Sequence, residues 1–229
     1  MTFPSQPIKL IDCREHGPDS GAELFVVEGD SAAQAVARIA NTQFQAVLPM
    51  QGKPMNALKA SEGTLRKNPF FRALIESIGT DIGESFALAA CRYQRIVLLF
   101  DPDADGIHCG TLALIFFYRW MRPLLEVGNI AIVRAPMMEV VADRLGIVRL
   151  AYSEEEGQHV SNELSIRQKT GVIKRRFRGL ASLNVDTLMH CCVQPTTRKL
   201  FPLTVRDAES SIELMAMMKG TSRRVDPDL

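Results

Sequence analysis

Three aspartates at alternate positions, Asp101, Asp103 and Asp105, close the apolar run Ile96-Val97-Leu98-Leu99-Phe100 and are followed at once by Gly106. A β-branched-rich apolar run of that length reads as a buried strand, and a long apolar helical pattern follows the glycine. Carboxylates crowded where a strand meets solvent repel one another unless they share a proton or a cation. Their hard oxygen donors suit a hard divalent ion, Mg2+ or similar. A fourth acid, Glu28, stands immediately after a second apolar run, Leu24-Phe25-Val26-Val27, and before Gly29-Asp30-Ser31, a turn with helix N-cap chemistry.

These acids need a frame, and the flanking chain predicts one. After Leu24–Val27 the spacing gives a helix over Ala32 to Ile39, then a strand from Phe44 to Leu48 closed by Pro49, and the loop Met50 to Asn56. Phe70, Phe71, Leu74, Ile75 and Ile78 recur at helical spacing and stop at Gly79. Beyond the aspartates a long helix is expected from about Cys109 to Glu126, ended by Gly128, then a strand over Ile130 to Val133. Apolar strands alternating with helices predict an α/β fold whose mostly parallel sheet is covered on both faces. In such sheets ligands sit beyond the carboxyl ends of the strands, so Glu28 and Asp101 are expected at one edge.

The chain divides on this reading into a lead-in over 1–22, a core over 23–138 and a tail over 139–229. In the tail, Glu154-Glu155-Glu156-Gly157 reads as an acidic turn between short strands. Lys174-Arg175-Arg176-Phe177-Arg178-Gly179 is the strongest basic cluster. Val185 to Cys192 then reads as helix, Lys199 to Val205 as strand and Asp207 to Met218 as helix.

Other chemistries suit the same residues less well. D-x-D-x-D-G opens an EF-hand loop, but the twelfth position, where a bidentate Glu is needed, is Leu112, and a strand precedes the loop. An aspartate nucleophile after a strand would serve a phosphatase, yet no matched lysine and hydroxyl set accompanies it. Helix capping and solvation of a strand end would explain two acids more easily than four. His190-Cys191-Cys192 lacks the second pair that a tetrahedral zinc site requires. Ser31 is not in a G-x-S-x-G setting and suits an N-cap.

The 229 residues, 46% hydrophobic and 23% charged, have globular composition, and the net charge of +1 leaves any nucleic-acid affinity to local basic clusters. Five cysteines, an odd number without C-x-x-C spacing, fit a reducing compartment. No export signal opens the chain, and Arg119, Trp120 and Arg122 interrupt its longest apolar stretch well short of a membrane span, so a soluble cytoplasmic protein is expected.

Glu28-Gly29-Asp30-Ser31-Ala32, Leu48-Pro49 with Gly52-Lys53 and Asn56, and Asp101-x-Asp103-x-Asp105-Gly106-x-His108 together resemble the TOPRIM domain of type IIA topoisomerase B subunits, of the DNA gyrase B and topoisomerase IV B kind. Lys9-Leu10-x-Asp12-Cys13, Phe116 to Leu124 and Phe177-Arg178-Gly179-Leu180 extend the resemblance over nearly the whole chain. It implies a Rossmann-like TOPRIM fold with a small C-terminal α/β tail, and Mg2+ held beside a scissile DNA phosphate, with Mn2+ or Ca2+ able to substitute. By resemblance Glu28 is a ligand or general acid/base, Asp101 and Asp103 the principal metal ligands, and Asp105 a ligand or a support to them. Glu28, Asp101 and Asp103 are then the catalytic set. Lys53, Lys174, Arg175, Arg176 and Arg178 would contact DNA phosphates.

The partners implied are DNA, a tyrosine-bearing A-type subunit and an ATPase supplied separately, since full-length members carry an ATPase domain before this region. The family's Gly-Gly after Glu-Gly-Asp-Ser-Ala is Ala33-Gln34 here, its Arg before Gly-Lys is Gln51, and its Arg two residues past the motif histidine is Gly110. Its Lys-Gly-Leu-Gly-Glu-Met segment is Arg178-Gly179-Leu180-Ala181-Ser182-Leu183. Two readings result: a Mg2+-binding part of an ATP-hydrolysing type II topoisomerase, incomplete alone, or a non-enzymatic regulatory protein that docks on DNA or the A-type subunit. An independent nuclease is a third.

Overall fold

The computed structural model describes residues 9–52, 54–168 and 171–218. Lys53 lies outside the described residues. The main sheet has five strands: β1 (Glu23–Glu28), β2 (Gln45–Met50), β3 (Arg95–Leu99), β4 (Ile130–Val133) and, from the tail, β8 (Leu200–Pro202). Their order is β2-β1-β3-β4-β8. The first four run parallel, and β8 joins β4 antiparallel. A second sheet holds the three antiparallel strands β5 (Met138–Ala142), β6 (Ile147–Ala151) and β7 (Ile173–Arg176), in the order β6-β5-β7. The expected α/β class with a mostly parallel sheet flanked by helices is the class observed.

Side chains alternate along each strand, and the alternation builds two apolar layers. Leu24, Val26, Ile96, Leu98 and Phe100 face one layer, with α3 (Pro69–Ile78) and α4 (Ala104–Trp120). Phe25, Val27, Val97 and Leu99 face the other, with α1 (Gly29–Ala37) and the tail residues Leu180, Leu188 and Val193. The strand interiors are fully buried, so truncating a central residue such as Leu98 removes about 2–5 kcal/mol of stability.

Several expected boundaries move for identifiable reasons. Pro49 does not close its strand but sits inside β2, which is tolerable because β2 is the edge strand of the sheet. The lead-in covers that edge: Ile11 bridges Val47 in antiparallel fashion. A helix over Glu62–Lys67, here α2, was not expected; Ser61 caps it by accepting from the Thr64 N–H. The long helix begins at Ala104 rather than Cys109, because Asp103 caps it by accepting from the Gly106 N–H at 2.8 Å. It breaks at Met121, and α5 (Arg122–Glu126) follows, since Pro123 cannot donate a helical hydrogen bond.

The acidic stretch Glu154-Glu155-Glu156 is not a turn between strands. It is the first turn of α6 (Glu154–Gln168), where negative charge suits the helix dipole and Ser153 Oγ accepts from the Glu156 N–H. The expected tail helix is α7 (Val185–Leu188) continued as a π-helix over Met189–Val193. The last helix, α8 (Val205–Met218), packs against α4. No described helix is long and apolar enough to cross a membrane.

Candidate metal centre

The strand order decides where a ligand can sit. From β1 the chain passes through α1 to β2 on one side, and from β3 through α4 and α5 to β4 on the other. The crevice between the carboxyl ends of β1 and β3 is therefore the switch point of the sheet. β1 and β3 are hydrogen-bonded neighbours with Val27 opposite Leu99. Glu28 is one residue beyond Val27 and Asp101 two beyond Leu99, so both flank this crevice.

Asp101 is half-buried, and two contacts from the tail hold it. The Leu180 N–H donates to Asp101 Oδ1 at 2.8 Å. A Cβ on Gly179 would lie 2.5 Å from Asp101 Oδ2, so only glycine permits this approach. From below, Gly106 comes so close that an added Cβ would lie 2.0 Å from the Asp101 carbonyl oxygen. Burial raises the Asp101 carboxyl above the usual carboxylate range, against the lowering effect of the Leu180 N–H and with a further raise from the charge of Asp103.

Asp103 is exposed and spends Oδ1 on the N-terminus of α4; Asp105 is exposed on the first turn of that helix. Glu28 stands at the N-cap of α1 with its Oε2 buried. All four groups are carboxylates, with no sulfur or imidazole among them, a donor set suited to Mg2+ and unsuited to softer metals. The mutual repulsion of Asp101 and Asp103 is the feature a divalent cation would relieve. The donor chemistry fits such an ion, while no three of these four described carboxylates have ligand atoms within 4.8 Å of one another.

Among the described residues, the trio of potential ligands whose atoms lie within 4.8 Å of one another is elsewhere: Asp12, Cys13 and His16. Its chemistry is that of a structural junction. Asp12 accepts from Tyr93 Oη at 2.7 Å, pairs with Arg92, and lies 3.0 Å from His16 Nε2. Burial pushes the Cys13 thiol up to about 11, which keeps it a thiol near neutrality.

The basic residues are distributed unevenly. Lys174 Nζ donates to Gln158 Oε1 at 2.7 Å, Arg175 lies 3.3 Å from Glu139, and Arg176 pairs with Glu154. These three line the exposed strand β7 of the second sheet. Arg178 is exposed and precedes Gly179, whose backbone lies against Asp101. Gln51 Nε2 donates to Asp30 Oδ1 at 3.3 Å, and Lys9 Nζ bonds both oxygens of that carboxylate. The sequence assigns no role to Gly179, Leu180 or Ser182; the signal there is the likeness of Arg178 to Leu183 to a Lys-Gly-Leu-Gly-Glu-Met segment, which says nothing about which strand end it meets.

Residues 23–135 match the family model for the Toprim domain. Just under half of the chain is thus similar to that family. The Toprim match takes in Glu28 and all three aspartates and ends before the second sheet. The chain is 36% identical to the DNA gyrase B subunit of Archaeoglobus fulgidus over 93% of its own length and 33% of that protein. It is 35% identical to the DNA gyrase B subunit of Halalkalibacterium halodurans over 97% of its length and 34% of that protein. The figures for the DNA gyrase B subunit of Thermotoga maritima are 37%, 95% and 34%. Similarity to these relatives thus continues past the Toprim domain through the tail, while the chain spans about a third of their length.

Proposed function

We propose that the chain is a Mg2+-binding Toprim module that supports DNA cleavage and religation together with a tyrosine-bearing A-type topoisomerase subunit. The observation that carries this reading is the placement of Glu28 and Asp101 at the switch point between β1 and β3. When bound there, a divalent cation supplies charge neutralisation for phosphate oxygens and the leaving sugar oxygen. The chain's own residues do the rest. Asp101 and Asp103 hold the cation, Asp105 supports them, and Glu28 either joins them or moves a proton at the sugar oxygen. Arg178, beside the site, orients a backbone phosphate, while Lys174, Arg175, Arg176 and Lys53 extend the contact along DNA.

A second reading is favoured by one specific observation. Lys174, Arg175 and Arg176 each hold an acceptor within the molecule, and Gln51 stands where the resemblance leads to an arginine. Phosphate contacts dominate DNA affinity, so a protein with these cations engaged suits docking on a topoisomerase subunit without cleavage.

One experiment separates the two readings. The purified chain is mixed with the A-type subunit of its own source, Mg2+ and supercoiled DNA, and covalent cleavage complexes are trapped and counted. Cleavage that needs both chains and falls by at least about a hundredfold in Asp103→Ala supports the first reading, given the several kcal/mol a metal supplies. Association without cleavage rejects it and selects the second.

A further inference from the structure

The contact that reaches deepest into the candidate centre comes from outside the Toprim match. Leu180 is 1% exposed and packed in the layer that contains Val27 and Leu99. Its N–H points at Asp101 Oδ1, and Gly179, with φ +117°, brings its backbone against the other carboxylate oxygen. Ser182 sets the shape of this turn. Its Oγ accepts from the Arg178 N–H at 2.8 Å and donates to the Gly179 carbonyl at 2.7 Å, and its own N–H donates to the same carbonyl at 3.0 Å. The turn is therefore tied on both sides of the glycine that meets Asp101.

We propose that Gly179, Leu180 and Ser182 are positioning residues that clamp the Asp101 carboxylate in one orientation for a divalent cation. The proposal rests on the reading of Asp101 as a cation ligand. A carboxylate held by a backbone N–H keeps lone pairs for a metal and needs no reordering when the metal arrives, and such supporting contacts set affinity. The clamp also makes metal binding depend on a docked tail. Ser182 occupies the place of a glutamate in the pattern the chain resembles, so this chain closes the turn with a hydroxyl where that pattern has a carboxylate.

The test is a Mn2+ titration of the whole chain followed by electron paramagnetic resonance, with Mg2+ competition. Wild type is compared with Asp101→Asn, Gly179→Ala, Ser182→Ala and Ser182→Thr, and metal-free melting is recorded for each. Wild type is expected to bind and Asp101→Asn to lose binding. Gly179→Ala and Ser182→Ala are expected to weaken Mn2+ about tenfold, the usual effect of losing a contact that orients a ligand, and Ser182→Thr to restore it. A merely structural role would lower metal-free melting and leave Mn2+ affinity unchanged. Wild-type affinity in Gly179→Ala and Ser182→Ala, with binding lost in Asp101→Asn, overturns the clamp alone. Wild-type affinity in Asp101→Asn, or none in wild type, overturns the ligand reading and the clamp with it. Should Gly179→Ala not fold, the Ser182 pair decides.

Discussion

Asp12 shows how one acid can serve as a structural junction. Burial by itself would raise its carboxyl, but the bonds from His16, Tyr93 and Arg92 together hold it below the usual range. A lowered folded pKa means that the ionised group stabilises the fold above its unfolded pKa, about 3.9, and that this stabilisation is lost as pH falls through the folded value. Asp12→Asn is therefore expected to lower stability by about 1–3 kcal/mol at pH 7, the usual loss when a hydrogen bond to a charged group is removed. The gap from wild type should begin to narrow below about pH 4 and close only once pH falls below the lowered folded value, where both proteins carry a neutral side chain. Urea unfolding at pH 7 and pH 3 checks this; an equal gap at both would show that packing, not charge, is what Asp12 supplies. Asp101 differs because it shares its surroundings with Asp103 and is held by a neutral backbone group, the Leu180 N–H.

The elements show where local sequence signals suffice. The strands β1, β3 and β4 were legible because each is apolar throughout and flanked by polar turns, and the structure buries them on both faces. Helix α3 was legible from its periodicity, and its start has a checkable cause: Asn68 accepts from the Phe70 and Phe71 N–H groups at 3.1 and 3.2 Å. Asn68→Ala should cost about 1 kcal/mol by denaturant unfolding, while Asn68→Asp should be close to neutral. Helix α6 was not legible, because its charged residues run around it with little one-sided apolar stripe, and an acidic triplet before Gly157 looks like a turn. The tertiary layer decides it: Leu164 packs with Val140 and Ala142 under the second sheet, which only exists once β5, β6 and β7 have paired.

At the scale of the molecule, the tail is built into the core. β8 completes the main sheet, and Arg198, its side chain buried, pairs with Glu23 at the start of β1 while its Nη1 donates to the Val193 carbonyl at 2.8 Å. Gln45 Nε2 bonds both Glu23 Oε2 and the Val193 carbonyl at 3.0 Å. Removing Arg198 leaves the buried Glu23 with Gln45 and the longer pair to part-exposed Arg95 at 3.3 Å, so Arg198→Ala should destabilise the whole chain by about 1.5–3 kcal/mol, the usual loss of a hydrogen bond between charged groups. Replacing both, as Arg198→Met with Glu23→Leu, should recover most of that loss, because a buried pair contributes little net stability over apolar packing. A double variant as unstable as the single one would show that the pair itself, and not the weakened pairing of Glu23, carries the effect.

The sequence by itself determined the fold class and the strands of the parallel core, because burial on both faces leaves its mark in local composition and spacing. The tertiary structure alone decided three further matters: that the switch point falls between Glu28 and Asp101, that β8 of the tail closes the sheet, and that Gly179 and Leu180 meet Asp101 across 79 residues of chain. Strand order, antiparallel closure and a backbone N–H aimed at a distant carboxylate are set by packing between segments, and no residue announces its distant partner in its own neighbourhood.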